Sequence, residues 1–336
     1  MESQYLQVLK RVLETGNYYN DRTGVGCVGT MGEQIRFDMS EGFPLLTTKR
    51  TFLRGVMEEL AMFVEGKTDA RILQKVGVKI WDGNTSRKAL DERGLTDYYE
   101  GDMGPIYGFQ WRHFGARYRT ALSDYEGEGV DQLKWVIEEL RKNPTSRRAI
   151  MSAWNPMALD EMVLPPCHVL YHFMLKRGRL HLSMYQRSGD LFLGIPFNLA
   201  SCGLLMMLIA AELGVEAGEC VLTIGDAHIY KTHIEAVKQQ LAREPRPLPI
   251  LHFHETPTLE NFPSILRTGF REMKIGENTL LNDKSTSSPK KVTLFSILKN
   301  IVIPSQDNSE EEPKVEPLVH LYDYNPHPAI KAPMAV

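Results

Sequence analysis

The clearest candidate for chemistry is Cys167, in the run Leu164-Pro165-Pro166-Cys167-His168. Two prolines restrict the backbone before the thiol, and a histidine follows it. A thiol becomes a strong nucleophile only when it ionises, and nearby cations favour the thiolate. The alternative is an inert core cysteine, because free cysteine packs as a small hydrophobic residue. The remaining cysteines lack such surroundings and are predicted to be structural: Cys27, Cys202 and Cys220.

Four arginines form a second candidate set: Arg22, Arg147, Arg148 and Arg187. Arg22 lies in the turn-forming stretch 20–26, Arg147 and Arg148 precede a predicted strand, and Arg187 ends another. Planar guanidinium groups suit bidentate recognition of phosphate, so four that converge would bind a phosphate dianion tightly. A solvated surface position is the alternative for each of them, and the sequence alone leaves their convergence open.

Glu59 is a candidate acid–base group on a helix predicted over 52–65. The apolar face of this helix consists of Val56, Leu60, Phe63 and Val64. Position 59 falls on that face, whereas Glu58 is expected to point away from it. A carboxylate in apolar surroundings has a raised pKa, which suits proton transfer near neutral pH. A glutamate paired with arginine or lysine for structure is the open alternative.

Asn198 is expected at the start of an apolar helix over 199–213, where asparagine commonly serves as N-cap. Its amide can alternatively donate and accept side by side, which matches the O4 and N3–H edge of a uracil. His228 and Tyr230 could hold a sugar hydroxyl, although a hydrogen-bonded core histidine is the commoner outcome. The ten histidines are scattered, and His252-Phe253-His254 alone is weak as a zinc ligand set, so no metal site is predicted.

Helices and strands alternate along the chain without a regular order. Periodicity predicts helices over 3–15, 52–65, 130–142 and 199–213, and a last helix after 225–228. A strand over 149–154 and a hairpin of 168–175 with 180–187 are predicted between them. Long helices mixed with strands, without strict βαβ alternation, predict an α+β fold. The segment 199–213 is apolar almost all round and is predicted to be a buried central helix.

Composition excludes several classes of protein. The chain has 336 residues, 39 Lys+Arg against 42 Asp+Glu, and 43% hydrophobic residues, which is too apolar for a disordered chain. A net charge of −3 argues against a dedicated DNA-binding protein. The sparse cysteines predict no disulfide framework, and the N-terminal sequence does not resemble a signal peptide. We therefore expect a cytoplasmic protein with no membrane association, and leave a nuclear pool open.

The segment 276–317 differs in composition from the rest of the chain. It is rich in Ser, Thr, Lys, Asp, Glu and Pro, with an acidic stretch over 307–316 and an apolar one over 292–303. We predict a flexible surface insertion within a single domain 1–336, because loops tolerate insertions at small cost in free energy. A partner-docking element is the alternative.

Long motifs in register resemble the thymidylate synthase family, in its eukaryotic type. They include Asp21-Arg22-Thr23-Gly24, Pro165-Pro166-Cys167-His168, Tyr185-Gln186-Arg187-Ser188-Gly189-Asp190 and Gly194-Ile195-Pro196-Phe197-Asn198. Further matching stretches are 44–49, 104–113, 146–148, 225–230 and 326–331. The resemblance implies a single domain with a large mixed β-sheet packed against helices, and a homodimer formed sheet to sheet.

The resemblance also implies an activity and a role for each matching position. The reaction is reductive methylation of dUMP to dTMP, with 5,10-methylenetetrahydrofolate as one-carbon donor and reductant, leaving as dihydrofolate. The implied catalytic residues are Cys167, Glu59, Asn198, Asp190 and Arg187. The implied dUMP ligands are Arg22, Arg147, Arg148, Arg187, Ser188, Gln186, Asn198, His228 and Tyr230. The implied folate contacts are Lys49, Ile80, Trp81, Asp190, Gly194, Phe197 and Ala335.

Within this scheme Cys167 adds to C6 of the uracil and Glu59 manages protons through water. Arg147 and Arg148 reach in from the partner subunit, Lys49 attracts the folate glutamate tail, and 334–336 closes over the ligands. One alternative is a pyrimidine nucleotide hydroxymethylase, although those acting on dCMP carry an acidic residue at the position of Asn198. Another is a catalytically idle nucleotide- or RNA-binding relative, and RNA binding as a secondary role is left open.

Overall fold

The computed structural model of the chain describes residues 1–21, 23–274 and 317–334. The helices are α1 Glu2–Thr15, α2 Leu53–Val64, α3 Arg71–Lys75, α4 Asp82–Thr85, α5 Arg87–Glu92, α6 Tyr107–His113, α7 Gln132–Lys142, α8 Gly194–Leu213, α9 Ile234–Leu241 and α10 Phe262–Arg267. The strands are β1 Asn17–Tyr19, β2 Cys27–Asp38, β3 Ile150–Ser152, β4 His168–Lys176, β5 Arg179–Asp190, β6 Glu216–Tyr230, β7 Ile250–Phe253, β8 Phe270–Met273 and β9 Val319–Tyr322.

The strands of the described residues form two sheets. The larger has the order β1-β2-β6-β5-β4-β3, and the smaller has the order β7-β9-β8. In the larger sheet β5 and β6 run parallel, while each other neighbouring pair is antiparallel. A mixed sheet packed with helices confirms the predicted α+β class and the predicted large mixed sheet.

The two faces of the larger sheet have different surroundings. Leu182, Met184 and Leu222 alternate onto one face and are fully buried, and α8 packs against β5 and β6. The opposite face is only partly covered, so that Ile150 is 37% and Tyr185 is 43% exposed. The core therefore lies between the sheet and the helices, and a second surface of the sheet stays accessible.

Helix α8 runs through this core, as its composition predicted. By length and hydropathy it could cross a membrane, but 67% of its most apolar window is buried inside the protein, as in the core helix of a globular protein. The helix ends at Gly214, which adopts the left-handed conformation with φ 66° that glycine tolerates without strain.

The predicted helices 3–15, 52–65 and 130–142 and the predicted hairpin correspond to α1, α2, α7 and β4–β5. The apolar helix begins at Gly194, earlier than predicted. Proline usually breaks a helix, but Pro196 lies in the first turn, where its missing N–H costs no hydrogen bond. Of the predicted insertion 276–317, all but Pro317 lies outside the described residues, so its surface position stays a prediction.

Candidate active site

The backbone of Cys167 is held from two sides, just before β4 begins. The Cys167 carbonyl accepts a hydrogen bond from the Arg187 backbone N–H at 2.9 Å. Its own N–H donates to the Tyr107 hydroxyl at 2.8 Å. Because both backbone groups are engaged, the direction in which the side chain leaves the chain is fixed. Cys167 is partly exposed, as a nucleophile must be.

Arg187 clamps the loop that carries this cysteine. Its Nε donates to the Pro166 carbonyl at 2.9 Å and its Nη2 to the Pro165 carbonyl at 2.6 Å. The guanidinium carbon lies 6.0 Å from the centre of the Trp154 ring. A permanent cation fixed at this loop favours the thiolate over the thiol and attracts an anionic ligand.

Glu59 lies on α2, in surroundings that perturb its carboxyl group. Trp81 Nε1 donates to Glu59 Oε1 at 2.8 Å. Burial raises the pKa of Glu59 to about 7, and the hydrogen bond from Trp81 acts in the opposite direction. The partner of Glu59 among the described residues is thus a tryptophan, not an arginine or lysine. This favours the acid–base interpretation over a structural ion pair.

The neighbouring Glu58 is buried by a contact that the helical pattern does not reveal. Glu58 is only 2% exposed, and its two carboxyl oxygens lie 3.7 Å from Arg54 Nε and 4.0 Å from Arg267 Nε. Burial raises the pKa of Glu58, and the two arginines oppose that effect. The helical pattern fails here because α10, distant in sequence, packs on the side of α2 that the pattern leaves to solvent.

Asn198 lies one turn inside α8, since the helix begins at Gly194. The N-cap alternative is therefore wrong. Asn198 Oδ1 accepts from Gln186 Nε2 at 3.0 Å, and Gln186 Nε2 also donates to the Ser188 carbonyl at 2.9 Å. Gln186 Oε1 is buried and has no hydrogen-bond partner among the described residues. This amide pair presents unsaturated polar groups that a heterocyclic base could pair with.

The parallel register of β5 and β6 brings together the residues predicted to bind the sugar and the phosphate. Ser188 is opposite Asp226 and Asp190 is opposite His228. His228 Nδ1 lies 3.6 Å from Asp226 Oδ1, and the rings of His228 and Tyr230 are 5.0 Å apart. These side chains meet at one end of the sheet, the end from which α8 departs.

The other predicted arginines are not brought to this place within the described chain. Arg147 and Arg148 are exposed in the turn before β3. Neither guanidinium has a hydrogen bond or ion pair among residues 1–21, 23–274 and 317–334. Arg22 lies outside the described residues. Convergence of all four arginines thus stays a prediction.

Of the predicted folate residues, Asp190 and Gly194 lie next to each other. Asp190 Oδ1 accepts from the backbone N–H of Phe192 and Leu193 at 2.9 and 3.2 Å. A side chain at Gly194 would have its Cβ 3.6 Å from Asp190 Cβ and 3.9 Å from Asn198 Oδ1, so Gly194 leaves the space between them open. Ile80 and Phe197 are partly exposed, and Trp81 is buried. Ala335 lies outside the described residues.

Lys49 has an orientation that the sequence did not suggest. It is 5% exposed, its Nζ donates to the Phe192 carbonyl, and Nζ lies 3.5 Å from the centre of the Phe192 ring. Burial lowers the pKa of Lys49 to about 7, while the Asp190 carboxylate acts in the opposite direction. In this conformation the ammonium does not reach the surface, so contact with a glutamate tail stays a prediction that needs a rotamer change.

Comparison with known proteins agrees with the arrangement of these residues. The model of the thymidylate synthase family matches residues 3–277. This chain belongs to the thymidylate synthase family. It is 52% identical over 252 residues to a thymidylate synthase of Herpesvirus ateles, covering 75% of this chain and 87% of that protein. It is 49% identical over 276 residues to a thymidylate synthase of Ascaris suum, covering 81% and 94%.

A second group of relatives in the family is longer. The chain is 47% identical over 270 residues to a bifunctional dihydrofolate reductase-thymidylate synthase of Zea mays, which covers 80% of this chain and 51% of that protein. The chain therefore spans about half the length of the bifunctional relatives and most of the length of the others. No relative cited here is named as a hydroxymethylase, so that alternative has no support.

Two residues of the site have no role in the sequence-based prediction, Tyr107 and His168. The Tyr107 ring stacks on Phe63 at 4.9 Å and lies 5.5 Å from His168, and burial raises the pKa of Tyr107. Burial lowers the pKa of His168 to about 4, so it is neutral near pH 7. The available signal for His168 was its place next to Cys167. For Tyr107, the motif 104–113 indicated the family but assigned no role to the residue.

Metal binding has no geometric basis in the described part of the chain. Among residues 1–21, 23–274 and 317–334, no group of three or more His, Cys, Asp or Glu side chains is arranged to hold a metal ion. The chemistry available at the site is that of a thiol, a carboxyl group of raised pKa, fixed cations and side-chain amides.

Proposed function

We propose that this protein is a thymidylate synthase, which methylates dUMP reductively to dTMP with 5,10-methylenetetrahydrofolate as co-substrate and releases dihydrofolate. The observation that carries the proposal is Cys167, fixed through its backbone by Arg187 and Tyr107, in a chain of the family. Glu59, which is partly exposed on α2, supplies a second reactive group with a pKa of about 7.

The uracil is recognised by side-chain amides. Asn198 accepts from N3–H and donates to O4, and Gln186 holds the Asn198 amide in the orientation that this requires. A cytosine offers the reverse pattern of donor and acceptor at these two atoms and is rejected, because a buried polar group would be left unpaired. We therefore expect the enzyme to prefer dUMP over dCMP.

Cys167 starts the reaction as a nucleophile. Its thiolate sulfur forms a bond to C6, and the electron pair of the C5=C6 double bond moves to C5 and O4, which makes C5 nucleophilic. Hydrogen bonding of O4 by Asn198 stabilises the charge that develops there. Glu59, with a pKa of about 7, takes up or releases protons near neutral pH through water. The thiolate leaves C6 at the end, so the enzyme is regenerated.

The residues around the amide pair fit a folate. Ile80 and Phe197 are partly exposed apolar side chains that can pack against its aromatic rings, and Asp190 offers a carboxylate to the nitrogen-rich pterin. When bound, methylenetetrahydrofolate supplies both the one-carbon unit and the hydride. The chain contributes orientation and exclusion of water.

We also propose a homodimer that packs sheet to sheet. The half-exposed Ile150 and Tyr185 on the open sheet face support it, because contiguous exposed apolar surface marks interfaces. Arg147 and Arg148, exposed beside that face, would then complete the phosphate site of the partner together with Arg22 and Arg187. Cytoplasmic localisation, with a nuclear pool, and secondary RNA binding remain predictions from the sequence.

An assay that follows dihydrofolate formation tests the activity. Protein, dUMP and methylenetetrahydrofolate should give dTMP and dihydrofolate in equal amounts, and dCMP should give neither. A hydroxymethylase would consume the folate without oxidising its ring, and an idle relative would do nothing. Cys167→Ala should abolish turnover and still bind dUMP; measurable dTMP from this variant would refute the assignment of the nucleophile.

A further inference from the structure

His233 is a fully buried histidine outside the predicted site residues. It ends the 3-10 turn Lys231–His233 that connects β6 to α9, and no part of its surface is exposed. A buried, titratable ring has a free-energy cost unless specific partners offset it. The groups that contact His233 therefore indicate its role.

Each ring nitrogen of His233 faces a different functional segment. Nε2 donates to the Pro333 carbonyl at 2.6 Å, which lies in the C-terminal segment. Nδ1 lies 3.6 Å from Oδ1 of Asp190, the predicted folate carboxylate. One imidazole thus lies between the residue directly before the segment 334–336, which is expected to close over the ligands, and the residue expected to hold the folate.

The other groups packed on His233 also belong to the site. Its ring centre lies 5.4 Å from that of Phe192 and 5.5 Å from that of Tyr230, the predicted ribose contact. The charged or titratable groups that face it are Asp190 at the end of β5, Tyr230 at the end of β6, and Lys49 in the loop before α2. Of these, Lys49 opposes a positive charge on His233 and Asp190 favours it.

We propose that His233 is a positioning residue, whose imidazolium form bridges the Pro333 carbonyl and the Asp190 carboxylate and so couples docking of the C-terminal segment to folate binding. The inference rests on the proposed function, because it takes Asp190 as a folate contact. It deepens that function by adding a regulatory dependence on pH.

The charged form is the one that can serve both partners. Burial disfavours it, but the Asp190 carboxylate and the Pro333 carbonyl outweigh that effect and raise the pKa of His233. In the neutral ring with hydrogen on Nε2, the Pro333 bond survives, but the lone pair of Nδ1 faces the Asp190 carboxylate. The bridge is therefore complete below the pKa of His233 in the folded protein and is lost as pH rises through it.

The test compares His233→Gln with wild type. Glutamine can donate to the Pro333 carbonyl but cannot carry the charge. The KM for methylenetetrahydrofolate should rise about 10-fold at pH 6, because the variant loses the charged contact between Nδ1 and the Asp190 carboxylate. The difference should shrink towards pH 8.5. Binding of dUMP in the binary complex should change less than about twofold. His113→Gln, a control on α6 with a partly buried ring whose Nδ1 contacts the Glu128 carbonyl, should leave both values unchanged.

A second measurement does not depend on turnover. With dUMP and dihydrofolate bound, carboxypeptidase should release the C-terminal residues of the wild type faster at pH 8.5 than at pH 6, after correction with a free peptide of the same sequence. For His233→Gln the corrected rate should not vary with pH. A pH-independent rate in wild type, or a variant with the KM and pH profile of wild type, would overturn the proposal.

These outcomes separate the inference from the proposed function. If wild type makes no dTMP, the proposed function fails, whatever the variant does. If wild type is active and the bridge has no effect on KM or on tail protection, only the role of His233 fails. Should His233→Gln not fold, the carboxypeptidase profile of wild type decides the question.

Discussion

Replacing Glu59 by glutamine should abolish turnover and at the same time stabilise the folded protein. Burial raises the pKa of Glu59 from 4.5 to about 7, and each pH unit between the two values corresponds to about 1.4 kcal/mol. Ionised Glu59 therefore costs the folded state on the order of 3 kcal/mol at pH 8. Glutamine keeps an oxygen that can accept from Trp81 Nε1 and removes that cost.

The sign of the pH dependence follows from the raised pKa. A carboxyl group that is easier to protonate when folded favours folding at low pH, and this contribution is lost as pH rises from 4.5 through about 7. Wild type and Glu59→Gln should thus have similar unfolding free energies near pH 4. They should differ by up to about 3 kcal/mol at pH 8, as measured by urea unfolding of the dUMP-free protein.

Glu58→Gln is the matched control on the same helix. Burial raises the pKa of Glu58 as well, but Arg54 and Arg267 oppose the effect, so the gain in stability at pH 8 should be clearly smaller. Its turnover should persist, because Glu58 faces α10 and not Trp81. If Glu59→Gln is no more stable than wild type at pH 8, or gains equally at pH 4, the buried-carboxylate account of Glu59 is wrong.

The remaining predictions concern other contacts of the chain. Tyr107→Phe removes the acceptor of the Cys167 N–H, so it should lower the unfolding free energy by about 1–2 kcal/mol and reduce kcat. Urea unfolding and initial rates measure the two effects, and an unchanged kcat would exclude a role of Tyr107 in positioning Cys167. Glu2→Ala should lower the free energy of unfolding in urea by about 3 kcal/mol or more, since the buried Glu2 carboxylate accepts from the N–H and hydroxyl groups of Thr47 and Thr48. A loss below about 1 kcal/mol would contradict this prediction. Mixing inactive Cys167→Ala with inactive Arg147→Ala should restore up to about a quarter of the sites if arginines cross a two-fold interface, and no recovery after subunit exchange would refute that.

The elements that follow a simple period were predictable from the sequence. Helix α1 and the hairpin of β4 and β5 match their predicted spans closely. In each of these elements the apolar side chains recur at a regular spacing and face the core. Helix α2 was located correctly, but the burial of Glu58 was not predicted. Its burial depends on Arg267 of α10, a contact between segments about two hundred residues apart, and local periodicity carries no information about such a contact.

For the site, the residue types were predictable and their partners were not. Cys167 was identified because the two prolines before it and the histidine after it are adjacent to it in the sequence. The direction of the Lys49 side chain was not predictable, since a lysine can extend to solvent or fold back onto a ring with little change in backbone. His233 gave no signal, because its importance lies in a carbonyl at position 333 and a carboxylate at position 190.

The arrangement of the site follows from one crossover in the fold. Strand β5 ends with Asp190, α8 begins at Gly194, and β6 returns parallel to β5, with Asp190 opposite His228. The residues proposed for uracil and sugar, together with Asp190, Gly194 and Phe197 of the folate set, thus share a single β–α–β unit whose core is α8. Cys167 and Glu59 come from other segments: the Cys167 backbone is hydrogen-bonded to Arg187 and Tyr107, and the Glu59 carboxyl group to Trp81. Removing the hydrogen-bonding group of Tyr107 or of Trp81 should therefore impair catalysis more than it weakens binding of dUMP, because neither residue is a proposed dUMP ligand.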